Sequence, residues 1–87
     1  MDDELTLDAN AAAGDLQAIF GLDMTPAAHR CAHCGHRGAM ATLLAYTHGP
    51  GLVLRCSVCR EVVVRVVVTP QGTRLDLRGA AFIGLPG

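Results

Sequence analysis

Two cysteine pairs, Cys31-x2-Cys34 within "HRCAHCGHRG" and Cys56-x2-Cys59 within "LRCSVCRE", stand 21 residues apart. They constrain the fold of this chain more than any other feature. A chain of 87 residues forms one small domain, and a single core of that size supplies only about 3 to 5 kcal/mol. A staple is therefore expected. A Cys-x2-Cys turn aims two thiolates at one point and lets backbone N–H groups bond their sulfurs. Two such turns at one end of a hairpin complete a tetrahedron around one Zn²⁺ ion per chain, with Cys31, Cys34, Cys56 and Cys59 as ligands. The spacer slightly exceeds the usual range for a four-cysteine site, an excess that a hairpin absorbs. Gly35 follows the first pair and suits the positive φ of a tight knuckle turn. Arg60 follows the second, which makes that knuckle less ideal.

Composition sharpens the need for a staple. Hydrophobic residues make up 51% of the chain but aromatics only 3%, so the core must be built from Val, Leu, Ile and Ala. No apolar run is long enough to span a membrane, and the N-terminal "MDDELTLDAN" is acidic where a secretion signal is basic and then apolar. A cytoplasmic protein without a membrane partner is expected. In a reducing compartment, paired cysteines signal a metal site or a redox pair before a disulfide framework. The formal charge of -1 hides a division. Residues 1–28 carry Asp2, Asp3, Glu4, Asp8, Asp15 and Asp23 and no basic residue, whereas 29–87 carry seven Arg against Glu61 and Asp76. The acidic segment is expected either to fold back over the basic half or to mask an anion-binding surface.

The apolar pattern predicts a helix over 8–21, "DANAAAGDLQAIFG". Asp8 would cap it, Ala9, Ala12, Ala13, Leu16, Ile19 and Phe20 would form its buried stripe, and Gly21 would end it in the left-handed conformation. Strands are predicted at 40–47, 52–56, 61–69 and 73–78, joined as two hairpins through Gly49-Pro50-Gly51 and through Pro70-Gln71-Gly72. The second of these suits a type I turn closing with a bulge. Alternation points Leu52, Leu54, Val62, Val64, Val66, Val68, Leu75 and Leu77 inward. It points Arg55, Glu61, Arg65, Arg74, Asp76 and Arg78 outward. The valine-rich strand is a candidate free edge for dimerisation. Phe82, Ile83 and Leu85 of the apolar tail are expected to cover a sheet edge or pack on the helix.

The order knuckle, strand, turn, strand, knuckle, strand over residues 31–78 resembles a zinc ribbon. From "LDANAAAGDL" through "CAHCG" and "LRCSVC" to "LDLRG", the chain resembles a family of short uncharacterised zinc-ribbon proteins from high-GC bacteria. The resemblance implies four cysteine ligands and an α+β fold, and no established activity. The expected architecture is α+β, an N-terminal helix packed on a small antiparallel sheet of about four strands. It forms a single domain over 1–87: an acidic segment at 1–28, the ribbon at 29–78 and an apolar tail at 79–87.

His29, His33, His36 and His48 lie in or near the knuckles and the first turn. With four cysteines at good spacing they are expected to be exposed or to donate to sulfur, not to replace a ligand. A closed four-thiolate site leaves no coordination position for water, so a non-enzyme is expected. Ser57, the lone serine, lies within the second knuckle and has no catalytic partner in sequence. Four thiolates around Zn²⁺ leave a charge of about -2, which Arg30, Arg37, Arg55 and Arg60 would screen.

The leading functional expectation is a zinc-stabilised module that docks on a protein partner. Nucleic-acid binding through Arg55, Arg65, Arg74 and Arg78 is the first alternative, opposed by the acidic N-terminus, the absence of Lys and the scarcity of aromatics. A rubredoxin-like site holding Fe, serving electron transfer with an oxidoreductase, is the second. It is weakened by "CSVCR", which lacks the Pro and Gly usual in such a knuckle.

Overall fold

The structure is a computed structural model and describes residues 6–8, 13–46 and 51–85. Its elements follow in chain order. β1 (Thr6–Asp8) precedes the helix α1 (Ala13–Phe20), and β2 (Ala28–Cys31) runs into the first cysteine pair. β3 (Arg37–Ala39) leads through a 3-10 turn at Met40–Thr42 into β4 (Leu44–Tyr46), followed by β5 (Gly51–Arg55). β6 (Val62–Thr69), β7 (Gly72–Asp76) and β8 (Ala80–Gly84) complete the chain. The fold is α+β, as expected, but the strands form two antiparallel sheets. A five-stranded sheet has the order β1-β4-β5-β6-β7, and a three-stranded one has the order β3-β2-β8. The estimate of about four strands misses β1, β2, β3 and β8, which are short or lie in segments of low β-propensity.

The core lies between the inner face of the large sheet, α1 and the small sheet. Leu16, Met24, Ala27, Met40, Leu43, Ala45, Leu52, Leu54, Val63, Val64 and Val66 are all buried there. Ile19, Phe20, Leu22 and Ile83 pack against them. Two methionines, Met24 and Met40, are fully buried in this core, a use that suits an unbranched, adaptable side chain where rings are almost absent. α1 ends as predicted, with Gly21 at φ 79 and its N–H bonded to the Gln17 carbonyl. Asp8 does not cap it but ends β1. Ala9 and Ala12 of the predicted stripe lie outside the described residues, as do His48 and the Gly49-Pro50 turn.

Several sequence-based assignments change. The predicted strand at 40–47 shrinks to β4, because the Met40 and Ala41 N–H groups bond the carbonyls of Ala27 and Thr25, which fixes a turn there. On β6, Val63 and Val64 are both buried. The register slips between Leu54 and Arg55, so that Leu54 faces Val64 while Arg55 faces Val62, and Val63 becomes the extra inward residue. Val68 was expected inside yet is 47% exposed, and Leu75 and Leu77 are each 39% exposed. The cause is reach. Among the described residues α1 spans eight positions, about 12 Å of helix, and Ala18 and Ile19 line an open cleft with Thr73 and Leu75 at the β7 end of the sheet, which leaves that end only partly covered.

β6, expected as a candidate free edge, is an inner strand, and β7 is the edge. The turn between them pairs Thr69 directly with Gly72, at φ 137, without the predicted bulge. The apolar tail does cover an edge, but that of the small sheet: β8 pairs with β2, with Ile83 against the core and Phe82 and Leu85 exposed. Gly79 makes this return possible. A Cβ there would collide with the Val62 carbonyl oxygen, and the Gly79 carbonyl accepts the Ala32 N–H beside the first knuckle.

Asp15 and Asp23 do not lie over the arginine-bearing face. α1 packs on the opposite, inner face through Leu16, and Asp23 is turned onto the Thr25 hydroxyl at 2.7 Å and its N–H at 3.0 Å.

Candidate metal centre

β2 delivers Cys31 and β5 delivers Cys56 to the same end of the molecule, where each strand breaks into a tight turn. The two turns repeat each other bond for bond. The Cys31 N–H donates to the His36 carbonyl at 2.9 Å, as the Cys56 N–H does to Glu61 at 2.9 Å. Gly35 N–H donates back to the Cys31 carbonyl at 3.0 Å, and Arg60 N–H to the Cys56 carbonyl at 3.0 Å. Inside each turn a backbone N–H points at sulfur: His33 to Cys31 Sγ and Val58 to Cys56 Sγ, both at 3.4 Å. Gly35 has φ 81 and Arg60 φ 68, so the same left-handed corner closes both knuckles. Arg60 is the one non-glycine among the described residues with positive φ.

The turns bring the four sulfurs together. Cys31, Cys34, Cys56 and Cys59 are all free, and their Sγ atoms lie within 4.8 Å of one another. Across the two knuckles, Cys31 and Cys59 are 3.6 Å apart and Cys34 and Cys56 3.7 Å. A tetrahedral Zn²⁺ with Zn–S bonds of 2.3 Å requires an S···S edge of about 3.8 Å. The donor set and its spacing therefore fit a four-coordinate thiophilic cation. The first cysteine of each pair is buried, while Cys34 is exposed and Cys59 half-buried.

The electrostatics of the bare thiols lead to the same requirement. Burial pushes the Cys56 thiol up, but the N–H groups of Cys59 and Val58 and the thiols of Cys34 and Cys59 outweigh it and bring it down to about 7. The Glu61 N–H favours the Cys59 thiolate, yet desolvation and the other three cysteines push it up to about 12. Thiols this close cannot all ionise without a cation among them. A metal cation held among the four sulfurs would supply that charge.

The arginines around the site are partly committed to it. The Arg30 guanidinium lies over Gly35. Arg55 donates to the Arg60 carbonyl at 2.9 Å, which braces the second knuckle, and its guanidinium stands 5.5 Å from the centre of the Tyr46 ring. Arg37 lies 5.9 Å from the Phe82 ring.

Of the four arginines expected to contact an anion, Arg55, Arg65 and Arg74 share the outer face of the large sheet, since Val53 pairs with Arg65 and Gly51 and Arg74 both pair with Val67. Arg78, 91% exposed, is bound to Asp76, whose carboxyl it holds down at about 2. The face is thus mixed in charge. It carries Asp76 opposite Arg65.

The histidines divide. His33 is exposed and His36 half-buried, but His29, expected to be exposed or to donate to sulfur, is fully buried, with the Gly38 backbone as its one polar neighbour and no hydrogen bond of good geometry to either ring nitrogen. Burial pushes its pKa down. The signal was available: in β2 it stands two residues before the buried Cys31, on the same face.

No helix among the described residues is long and apolar enough to cross a membrane. No curated protein and no solved structure matches the chain. Residues 2–87, nearly the whole chain with both knuckles, match a family of unknown function, DUF6510, and the protein belongs to that family.

Proposed function

We propose that this protein is a zinc ribbon in which one Zn²⁺ on Cys31, Cys34, Cys56 and Cys59 replaces the missing core, and that it works in the cytoplasm as a non-catalytic, protein-docking or regulatory module. The observation that carries this reading is the tetrahedral fit of the sulfurs, with cross-knuckle separations of 3.6 and 3.7 Å. A metal held by four protein ligands has no position for a water or a substrate. Ser57 is exposed on the second knuckle, whereas His29 is fully buried. Binding of a structural zinc is worth about 10 to 16 kcal/mol in small peptides, and that free energy is folding free energy.

Elemental analysis with a visible spectrum, on protein purified without added metal, tests the reading. One zinc per chain and no colour is expected. One iron and a red colour would replace it with a rubredoxin-like electron carrier, because four thiolates hold iron as readily as zinc.

The outer face, where Tyr46, Arg55, Arg60, Arg65 and Arg74 gather, favours one second reading, nucleic-acid binding. It requires binding to mixed DNA or RNA that weakens steeply with salt, and absence of binding at about 50 mM salt excludes it.

A further inference from the structure

We infer that β7 is a dimerisation edge: two copies of this chain join their large sheets by antiparallel β7–β7 pairing about a twofold axis at Leu75, with Arg74 of each copy opposite Asp76 of the other.

β7 has a neighbour on one side only among the described residues. It carries no proline and no bulge, and its two charges, Arg74 and Asp76, are of opposite sign, so they oppose a partner strand only in registers that set like charges together. Its register with β6 defines what it offers. Thr69 and Gly72 close a two-residue hairpin loop, so this pair occupies a hydrogen-bonded site of the ladder. Alternation then turns the N–H and C=O groups of Gly72, Arg74 and Asp76 toward β6, and those of Thr73 and Leu75 toward the open side. A second strand would bond to Thr73 and Leu75.

Charge selects the second strand and its register. On the outer face β7 shows Arg74 and Asp76, one of each sign, two residues apart. A twofold axis at Leu75 sets each Arg74 against the other copy's Asp76 in the close, non-hydrogen-bonded type of pair, where opposite charges favour and like charges oppose association. An axis at Arg74 would instead face two guanidiniums, and one at Asp76 two carboxylates. An axis at Thr73 runs the strand off into the turn. Within one chain Asp76 faces Arg65 and is held by Arg78, so in the Leu75 register the other copy's Arg74 joins these two guanidiniums around one carboxylate.

The inner face agrees. Val68, Leu75 and Leu77 are 47%, 39% and 39% exposed, an apolar strip that α1 covers only in part, through Ala18 and Ile19. With the axis at Leu75 the two leucines meet and the strip of one copy continues into that of the other. A partner strand of arbitrary sequence would satisfy the backbone alone. The chain's own β7 satisfies backbone, charge and apolar strip together.

Sedimentation equilibrium of the metal-loaded full chain tests the proposal at concentrations up to about 100 μM, where even a weak interface associates. Wild type is expected at twice the 9.1 kDa of one chain. Arg74→Asp and Asp76→Arg, each alone, should weaken the dimer at least tenfold. An equimolar mixture of the two variants should restore it, because only the mixed pair places opposite signs at both contacts. Leu75→Pro should give a monomer by steric block, since its N–H faces outward and no bond to β6 is lost. A wild type that stays monomeric overturns the proposal. So does a dimer that withstands both Arg74→Asp and Leu75→Pro, or folded charge variants whose mixture remains monomeric.

Discussion

Replacing Arg60 by glycine should make the protein more stable, and replacing Gly35 by alanine should make it less so, by comparable amounts. Both residues occupy the left-handed corner of a knuckle, at φ 68 and φ 81, and each donates its N–H to the carbonyl of the first cysteine of its pair. A side chain with a Cβ in that conformation costs about 1 to 2 kcal/mol. Glycine returns about 0.5 to 1 kcal/mol of this through the greater freedom of its unfolded chain. The net expectation is a gain of about 0.5 to 1 kcal/mol for Arg60→Gly and a similar loss for Gly35→Ala. Packing does not confuse the comparison. A Cβ at Gly35 meets nothing closer than the Arg30 guanidinium at 3.6 Å, an ordinary contact. The Arg55 brace on the second knuckle uses the backbone carbonyl of residue 60, which glycine retains.

Because metal binding and folding are one reaction in such a domain, the change should appear twice. In a thermal melt of the metal-loaded form, 1 kcal/mol moves the midpoint by about 4 to 8 °C in a domain of this size. In competition with a chelator, it changes zinc affinity by about fivefold. If Arg60→Gly is no more stable than wild type while Gly35→Ala is neutral, the equivalence of the two knuckles and the cost assigned to their corners are both wrong.

Other consequences are as direct. Serine in place of Cys31 or Cys56, or prolonged treatment with a strong chelator, should abolish the β-sheet circular dichroism, since the remaining core is too thin to hold the chain. His29→Leu should raise the melting temperature of the metal-loaded protein, because it removes two buried nitrogens that make no hydrogen bond of good geometry, a group of this kind costing about 1 to 3 kcal/mol. A lower midpoint would show that the imidazole has a partner in the folded protein. Gly79→Ala should destabilise by about 1 to 3 kcal/mol or more, of the order seen for overpacked sites, because its Cβ would strike the Val62 carbonyl. Amide exchange should then rise first in β8 and at Ala32, whose N–H depends on the Gly79 carbonyl.

How much of this was legible in the sequence follows from the range of each interaction. The clustering of Cys31, Cys34, Cys56 and Cys59 was legible, because two residues between paired cysteines determine a local turn, and a turn of that kind leaves its sulfurs little choice of direction. The Gly21 stop and the strands β5, β6 and β7 were legible for the same reason, since left-handed corners and alternation are properties of neighbours in the chain. What alternation could not supply was which positions of an apolar strand are covered. Val63 went in and Val68 stayed out because of a register slip at Leu54 and the short reach of α1. The burial of His29 likewise depends on which face of β2 is turned to the core, and that is decided when β2 becomes the central strand of the small sheet. The small sheet itself was invisible, for its strands are three to five residues long and exist only as partners of one another. Local spacing thus determined the site and the class of fold. The tertiary structure alone decided the sheet order, the buried histidine and the open β7 edge, because burial and strand pairing are relations between residues far apart in the chain, brought together only when the whole molecule closes.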